Sequence, residues 1–283
     1  MAADPPPVES YSPYYEAQHA SRFQRRDLIR AYESANSCRL IVVSDAIFPY
    51  SVALWEELLS DIAGDVTLHV MLNSPGGDPE TAIRLVRSAQ QHCAKLVIVL
   101  PDQAKSAATL LTLGAHEIVM GPASDLGPVD PQFQRPGSLV SAKSIIAAVD
   151  EATARVQDAP ETYPLWASLV SDVTAIMYQQ ARAAIARTSD QMKEALASNP
   201  QRGSDEVEKL FASLKGPLID ETRSHGAVFS AMDALNAGLP VVRLSPESPH
   251  WKAIWRLWAR YIMLGNVGAY ESTRASQVFP KTQ

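Results

Sequence analysis

The chain has 283 residues, with 25 Lys and Arg against 31 Asp and Glu, a formal charge of −6. Its 46% apolar and 20% charged residues are ordinary globular usage and supply enough apolar surface for a sizeable core. The acidic balance argues against a nucleic-acid binder, which needs a basic patch, and no run approaches 18 consecutive apolar residues, so no transmembrane helix is expected. Residues 1–20 carry Pro5-Pro6-Pro7 and Pro13 and read as an extended arm laid on a neighbouring subunit. They contain Asp4, Glu9 and Glu16 and no apolar stretch, so no secretory signal is expected. Residues 22–36 are polar and helical in tone. The two cysteines, Cys38 and Cys93, give neither a disulfide framework nor a metal cluster. These features predict a soluble, cytoplasmic protein.

From residue 40 short apolar runs alternate with helical segments. Strands are predicted at 40–43, 67–72, 96–100 and 117–120, and helices at 51–63, 79–92 and 106–113. That alternation implies parallel strands joined by crossover helices, hence an α/β core. After residue 138 the chain turns Ala-rich, with helices predicted at 141–157, 164–198 and 204–215. A helix ending at Gly238 and a strand at 239–242 follow, and the last predicted element is a helix over 250–264. The expected organisation is an N-terminal arm over 1–35 and a single domain over 36–283 with a helix-rich second half.

Two strand-to-helix turns carry the chemistry. The first is Asn73-Ser74-Pro75-Gly76-Gly77-Asp78-Pro79. Asp78 is a good N-cap and Pro79 suits the first helical position, so Gly76 and Gly77 fall between a strand end and a helix start. Without Cβ atoms they let the backbone approach a ligand, and their N–H groups can serve as an oxyanion hole. The competing reading is a tight turn, and the Walker and dinucleotide patterns are absent. The second turn is Pro101-Asp102-Gln103-Ala104-Lys105-Ser106. Ser106 opens an Ala/Leu helix at the next crossover, so both turns share one sheet edge, where ligands bind in parallel sheets. Taken alone, Ser106 reads as an N-cap or a small packed residue.

Asn73-Ser74-Pro75-Gly76-Gly77, then Ala104-Lys105-Ser106-Ala107-Ala108-Thr109, then Gly121 to Gln132 together resemble the serine dehydrogenase proteinase family. That family belongs to the Clp-protease/crotonase superfamily and is similar to signal peptide peptidase A. The resemblance is densest over residues 39–135 and weaker through Ser224-His225-Gly226 and Ala234 to Pro240. It implies a repeated ββα spiral core, Ser106 as the nucleophile, Gly76 and Gly77 amides as the oxyanion hole, and a homo-oligomer acting on peptide or protein substrates. It implies no cofactor; nothing supports a nicotinamide site.

A serine needs a base. The stretch Met120 to Gly127 contains no His, which disfavours a Ser-His-Asp triad of the Clp type. His116 reads as a strand-start residue. Related signal peptide peptidases use a lysine, which must be neutral and therefore lowered in pKa by burial. Lys143, 37 residues after Ser106 and amid apolar neighbours at a helix start, is the candidate; Lys105 reads as solvated or ion-paired. His225 is the alternative base. Asp125 and Asp130 read as turn residues, and Arg84 and Arg87 as solvated or at a subunit contact. Trp251, Ile254, Trp255, Trp258, Tyr261 and Ile262 recur at helical spacing and read as a core-docking helix; an oligomer contact or a membrane-surface helix stays open, and with it a peripheral membrane or membrane-protein partner. The functional expectation is a serine peptidase with a Ser-Lys dyad. An inactive peptide-binding or scaffold oligomer and an acyl-CoA enzyme of the crotonase type are the alternatives.

Overall fold

The computed structural model describes residues 11–62, 64–135, 138–221 and 226–281. Two helices lead in: α1 (Pro13–Gln18), capped by Ser12 Oγ accepting from Tyr15 N–H, and α2 (Ala20–Asn36). The first half then runs β1 (Arg39–Ser44), α3 (Ser51–Leu59), β2 (Thr67–Asn73), α4 (Pro79–His92), β3 (Lys95–Leu100), β4 (Gln103–Ala104), α5 (Ala107–Leu113), β5 (Glu117–Met120) and β6 (Asp125–Leu126). The second half contains β7 (Gln132–Arg135), β8 (Ser138–Ser141), α6 (Ala142–Asp158), α7 (Tyr163–Leu169), α8 (Ala175–Ala197), α9 (Ser204–Lys215), β9 (Phe229–Ser230), α10 (Ala231–Asn236), β10 (Val241–Arg243), α11 (Pro249–Ile262), β11 (Val267–Glu271) and β12 (Ser276–Pro280).

The main sheet has seven strands in the order β10-β5-β3-β2-β1-β11-β12. The first five are parallel; β11 and β12 close the far edge antiparallel. This mixed α/β fold, dominated by parallel pairing, is why the strands read as continuous apolar runs rather than alternating ones. The pleat sends Ile41, Val43, Leu68, Val70, Leu72, Leu96, Ile98 and Leu100 to one face, where α3, α4, α5, α8 and α9 pack. Leu40, Val42, Met71, Val97 and Val99 point to the other face, covered by α2 and α11. No helix among the described residues is long and apolar enough to cross a membrane.

The structure refines the predicted organisation in three places. The segment expected to be extended holds α1, and α2, assigned to an arm, sends Ile29 and Tyr32 into the core. Tyr32 OH bonds both His69 Nδ1 on β2 and His250 Nε2 on α11 at 2.9 Å, tying three elements together. The helix predicted over 164–198 breaks between α7 and α8, where Thr174 caps the second piece. Finally, β11 and β12 lie beyond the last predicted element. They are short, contain Gly268 and Pro280, and lack the apolar run of the parallel strands. On α11, Ile254, Leu257, Trp258 and Tyr261 are buried, so the helix docks on the core, while Trp255 and Ile262 are exposed.

Candidate active site

Strand ends and backbone bonds bring the two turns together. At the end of β2, Ser74 N–H donates to Gln103 O (3.0 Å), and Lys105 N–H donates back to Ser74 O (3.0 Å). This short bridge lays the glycine turn against the serine turn. A Cβ on Gly76 would stand 2.6 Å from Lys105 O and 2.7 Å from Ser106 Cβ, so only glycine allows the contact. Gly77 is pressed as closely on the Ile47 carbonyl, whose oxygen accepts from Asp78 N–H at 2.7 Å. Both glycines have positive φ, +102° and +141°.

Ser106 has φ +51° and ψ −117°. These are the dihedrals of the first central residue of a type II′ turn, where glycine dominates. A serine held there carries strain of about 1–3 kcal/mol, and such outliers cluster at functional sites. The N-cap reading fails on two counts. An N-cap sits in the extended region, and its side chain accepts from the helix start; Ser106 does neither. Among the described residues its hydroxyl has no hydrogen-bond partner, and the residue is half-buried.

The turn is fixed from the far side as well. Ser106 N–H donates to Pro128 O (3.2 Å), and the buried Thr109 hydroxyl reaches Ala104 O and Gly127 O at 2.9 and 2.8 Å. Gly76 N–H is engaged, donating to Ser74 Oγ at 3.1 Å. The N–H groups of Gly77 and Ala107 have no partner among the described residues. Ala107 N–H is an orphan of the helix start and directly follows Ser106. Sequence reading passed over it because any residue type offers an N–H; its position right after the candidate nucleophile is the usable signal.

Lys143 stands in the first turn of α6. Ser141 Oγ caps that turn by accepting from Lys143 N–H (3.1 Å), and it donates to Asp130 Oδ1 (3.0 Å). Ala142 N–H donates to Pro131 O (2.8 Å). The segment from Pro128 to Pro131 therefore touches the Ser106 turn at one end and the Lys143 turn at the other. Burial lowers the Lys143 pKa below the ordinary lysine value, while the charges of Asp130 and Asp220 pull it back up. Asp130, taken from the sequence as a turn residue, is buried beside this lysine.

Lys105 points away from the serine. Its ammonium pairs with Asp125 and reaches Ala227 O (3.4 Å), and its stem packs on Gly127. Asp125 is thus an ion-pair partner as well as a turn residue. His116 accepts from Leu96 N–H at the start of β5, a structural contact. Arg87 pairs with Glu194, and Arg84 is exposed. His225 lies outside the described residues. Among the described residues no group of three or more His, Cys, Asp or Glu could hold a metal ion. Two clefts, of about 250 and 530 Å³, open elsewhere at the strand ends, and neither is lined by Ser106.

Residues 56–213, more than half of the chain, match the family described as ClpP-like SDH-type serine proteinase. Two uncharacterized proteins of Methanocaldococcus jannaschii are similar over shorter stretches. One is 32% identical over 99 residues, 34% of this chain and 33% of the relative. The other is 32% identical over 69 residues, 24% of each. The chain thus spans about a third and about a quarter of the length of these relatives.

Proposed function

Because the chain belongs to the ClpP-like SDH-type serine proteinase family, we propose that it hydrolyses peptide bonds through an acyl-enzyme on Ser106, with Lys143 as the general base. The observation that carries the reading is the Ser106 turn itself: a strained serine whose hydroxyl has no partner among the described residues, packed on Gly76 and flanked by the N–H groups of Gly77 and Ala107, which have none among them either. Ser106 Oγ attacks the substrate carbonyl while neutral Lys143 Nζ takes its proton. The tetrahedral oxygen accepts from Gly77 N–H and Ala107 N–H. Gly76 contributes by lacking a Cβ. Lys143 returns the proton to the leaving amine, which departs; neutral Lys143 then takes a proton from water, whose oxygen attacks the acyl ester, and passes it to Ser106 Oγ as the acid product leaves. Ser141 and Asp130 hold the α6 start in place. His225 stands as the alternative base.

The fold reading that goes with this is a ββα spiral. β3, β4 and α5 form one unit, and the bridges Ile47–Gly77 and Ser74–Ala104 take the place of the short second strand in its neighbours. The substrate class is peptide or protein, and a cytoplasmic homo-oligomer accords with the family. The test is intact-mass labelling with a fluorophosphonate, comparing wild type, Ser106→Ala and Lys143→Arg. One adduct on wild type, absent from both variants, is expected. Labelling lost only in Ser106→Ala removes Lys143 from the mechanism. No labelling of wild type overturns the peptidase reading in favour of a peptide-binding or scaffold role.

A further inference from the structure

Lys105 is the first residue of the turn that presents Ser106. Its carbonyl accepts from Ala108 N–H (2.9 Å), which closes the turn around Ser106 and Ala107, and its own N–H donates to Ser74 O (3.0 Å). Its side chain is held as well. β4 pairs with β6 in parallel, Gln103 opposite Asp125, so alternation along the two strands puts Gln103, Lys105, Asp125 and Gly127 on one face. The Lys105 stem crosses Gly127, where a Cβ would collide with Lys105 Cδ. The ammonium then reaches Asp125 and, at 3.4 Å, the carbonyl of Ala227, which leads into β9 on the far side of β6. The paired side chains are only 12% and 13% exposed. Lys105 is thus a strap laid across the small β4-β6-β9 sheet, with its backbone in the serine turn.

The strap bears on the conformation of Ser106. A φ of +51° with ψ −117° is strained, and a strained residue persists only where its surroundings over-determine it. Rotation about the Ser106 φ swings the Lys105–Ser106 peptide plane against the start of α5. That plane is held by Ser106 N–H on Pro128 O (3.2 Å) and by the Lys105 side chain anchored on Asp125. Both holds end on the 125–128 segment, one through the backbone and one through charge. An ion pair this shielded from water is little screened by salt, and loss of one partner leaves the other charge poorly solvated. Glycine at 127 belongs to the same device, because a side chain there would lift the Lys105 stem off β6.

We propose that Lys105 and Asp125 are a positioning pair for the nucleophile: their ion pair holds the Lys105–Ser106 peptide so that the Ser106 hydroxyl stays aimed at the substrate carbonyl. The proposal rests on the serine peptidase reading above. Lys105 takes no proton from Ser106, since its ammonium lies along β6, away from the serine. Misplacing a reacting group by about 1 Å costs on the order of 10²-fold in rate, so loss of the pair should appear in kcat rather than in KM.

The experiment compares wild type with Lys105→Met, which keeps an apolar stem over Gly127 without the charge, with Asp125→Asn, with the double variant, and with Lys105→Arg, which keeps the charge. Circular dichroism confirms that each is folded under assay conditions. Lys105→Met is expected to lower kcat for peptide hydrolysis by about 10–100-fold. Its KM should stay within about twofold of wild type and the midpoint of its pH profile within about 0.3 units. Asp125→Asn should lose about as much. The double variant should lose little more than either single one, because the same pair is broken in all three, and Lys105→Arg should keep most of the activity. Losses that multiply in the double variant overturn the pair. An unchanged kcat in Lys105→Met overturns the proposal while leaving the peptidase reading intact. Loss of the pH-dependent rise in that variant overturns it in favour of Lys105 as the base. A second readout needs no catalysis: hydrogen exchange followed by mass spectrometry over residues 103–110, which include the bonded amides of Lys105 and Ser106. Exchange there should be about tenfold faster in Lys105→Met, with residues 39–44 of β1 unchanged. If wild type neither labels with the fluorophosphonate nor cleaves, the catalytic reading fails. In that case faster exchange confined to 103–110 still supports the hold of the pair on the turn, and unchanged exchange overturns it as well.

Discussion

The Ser106 turn is held by backbone bonds from Ser74 at the end of β2 and from the Gly127–Pro128 segment, whereas Lys143 stands on a helix outside the main core. The serine turn sits on the large cluster formed by the parallel strands with α4 and α5. The lysine helix packs on a separate small cluster centred on Ala142, Ile145 and Ala181. Its start is tied to the serine side through Ala142 N–H to Pro131 O and Ser141 Oγ to Asp130. The proposed nucleophile and oxyanion donors are therefore part of the fold's rigid frame. The proposed base stands on an appendage. Substitutions on the serine side should change stability and chemistry together, while those on the lysine side should change chemistry alone.

The largest effects test that separation directly. Ser106→Ala is expected to lower peptide hydrolysis by at least about a thousandfold. Lys143→Arg keeps the positive charge beside Asp130 but cannot accept a proton, so hydrolysis should fall by about 10²–10⁴-fold. Its unfolding free energy should stay within about 0.5 kcal/mol of wild type. With neutral Lys143 as the proposed base, wild-type activity should rise with pH to a plateau whose midpoint lies below the ordinary lysine value, in the direction burial pushes Lys143. A Lys143→Arg variant that turns over at the wild-type rate moves the base elsewhere.

On the serine side, Gly76→Ala should show the opposite balance. The added Cβ meets Lys105 O at 2.6 Å and Ser106 Cβ at 2.7 Å, at a φ of +102° that alanine avoids. Backbone must shift, at a cost of about 2–4 kcal/mol in urea unfolding, with activity lost as the turn moves. Gly64→Ala, which has open space around its Cβ position, is the matched control and should change stability by less than about 0.5 kcal/mol. Equal effects at the two glycines would erase the distinction between frame and appendage.

Much of the frame was legible in the sequence because parallel strands covered on both faces write themselves as apolar runs, and the alternation from Leu40 to Met120 needs only spacing to be read. Asp78-Pro79 marked the start of α4 through cap chemistry, and the Gly76-Gly77 pair marked the close approach. What stayed hidden depends on partners distant in sequence. Glu271 lies in a short strand without an apolar run, and it is fixed by Arg25, 246 residues away, through bonds of 2.6 and 2.8 Å. Asp130 looks like any turn aspartate until Ser141 and Lys143 are folded over it. The strain at Ser106 is invisible too, since φ is not written in a residue's identity.

A smaller test concerns the face opposite the serine helix. His69 on β2 is surrounded by Tyr32 from α2, His250 from α11, Glu117 from β5 and Lys95 from β3. Burial, helped by the neighbouring His250, lowers its pKa to about 4, so the folded state keeps it neutral. The unfolded chain takes up the proton near pH 6.5, before the folded protein does. Stability is therefore complete above pH 6.5 and declines as pH falls toward 4, by up to about 3 kcal/mol. Urea unfolding at pH 7.5 and pH 5 measures the loss. His69→Gln, which can still hydrogen-bond Tyr32 but does not titrate, should flatten much of the dependence. An unchanged slope in that variant would place the acid sensitivity elsewhere.

The smallest expected effect isolates the strain at Ser106. Two non-glycine residues among those described have positive φ: Ser37 at +50° and Ser106 at +51°. They differ in ψ. Ser37, with ψ +48°, is an ordinary left-handed C-cap after α2, stabilised by its N–H donating to Glu33 O. Ser106, with ψ −117°, lies where residues with a Cβ are scarce. Glycine at Ser106 relieves about 1–3 kcal/mol of backbone strain and costs about 0.5–1 kcal/mol in unfolded-chain entropy. Ser106→Gly should therefore raise stability, by up to about 2.5 kcal/mol, while abolishing hydrolysis. Ser37→Gly, with less strain to relieve, should change stability by less than about 1 kcal/mol. If Ser106→Gly gains no more than Ser37→Gly, the turn is not strained and Ser106 is not held against its own backbone preference. A larger gain at Ser106 would mean that the fold sacrifices stability at one residue to present its hydroxyl.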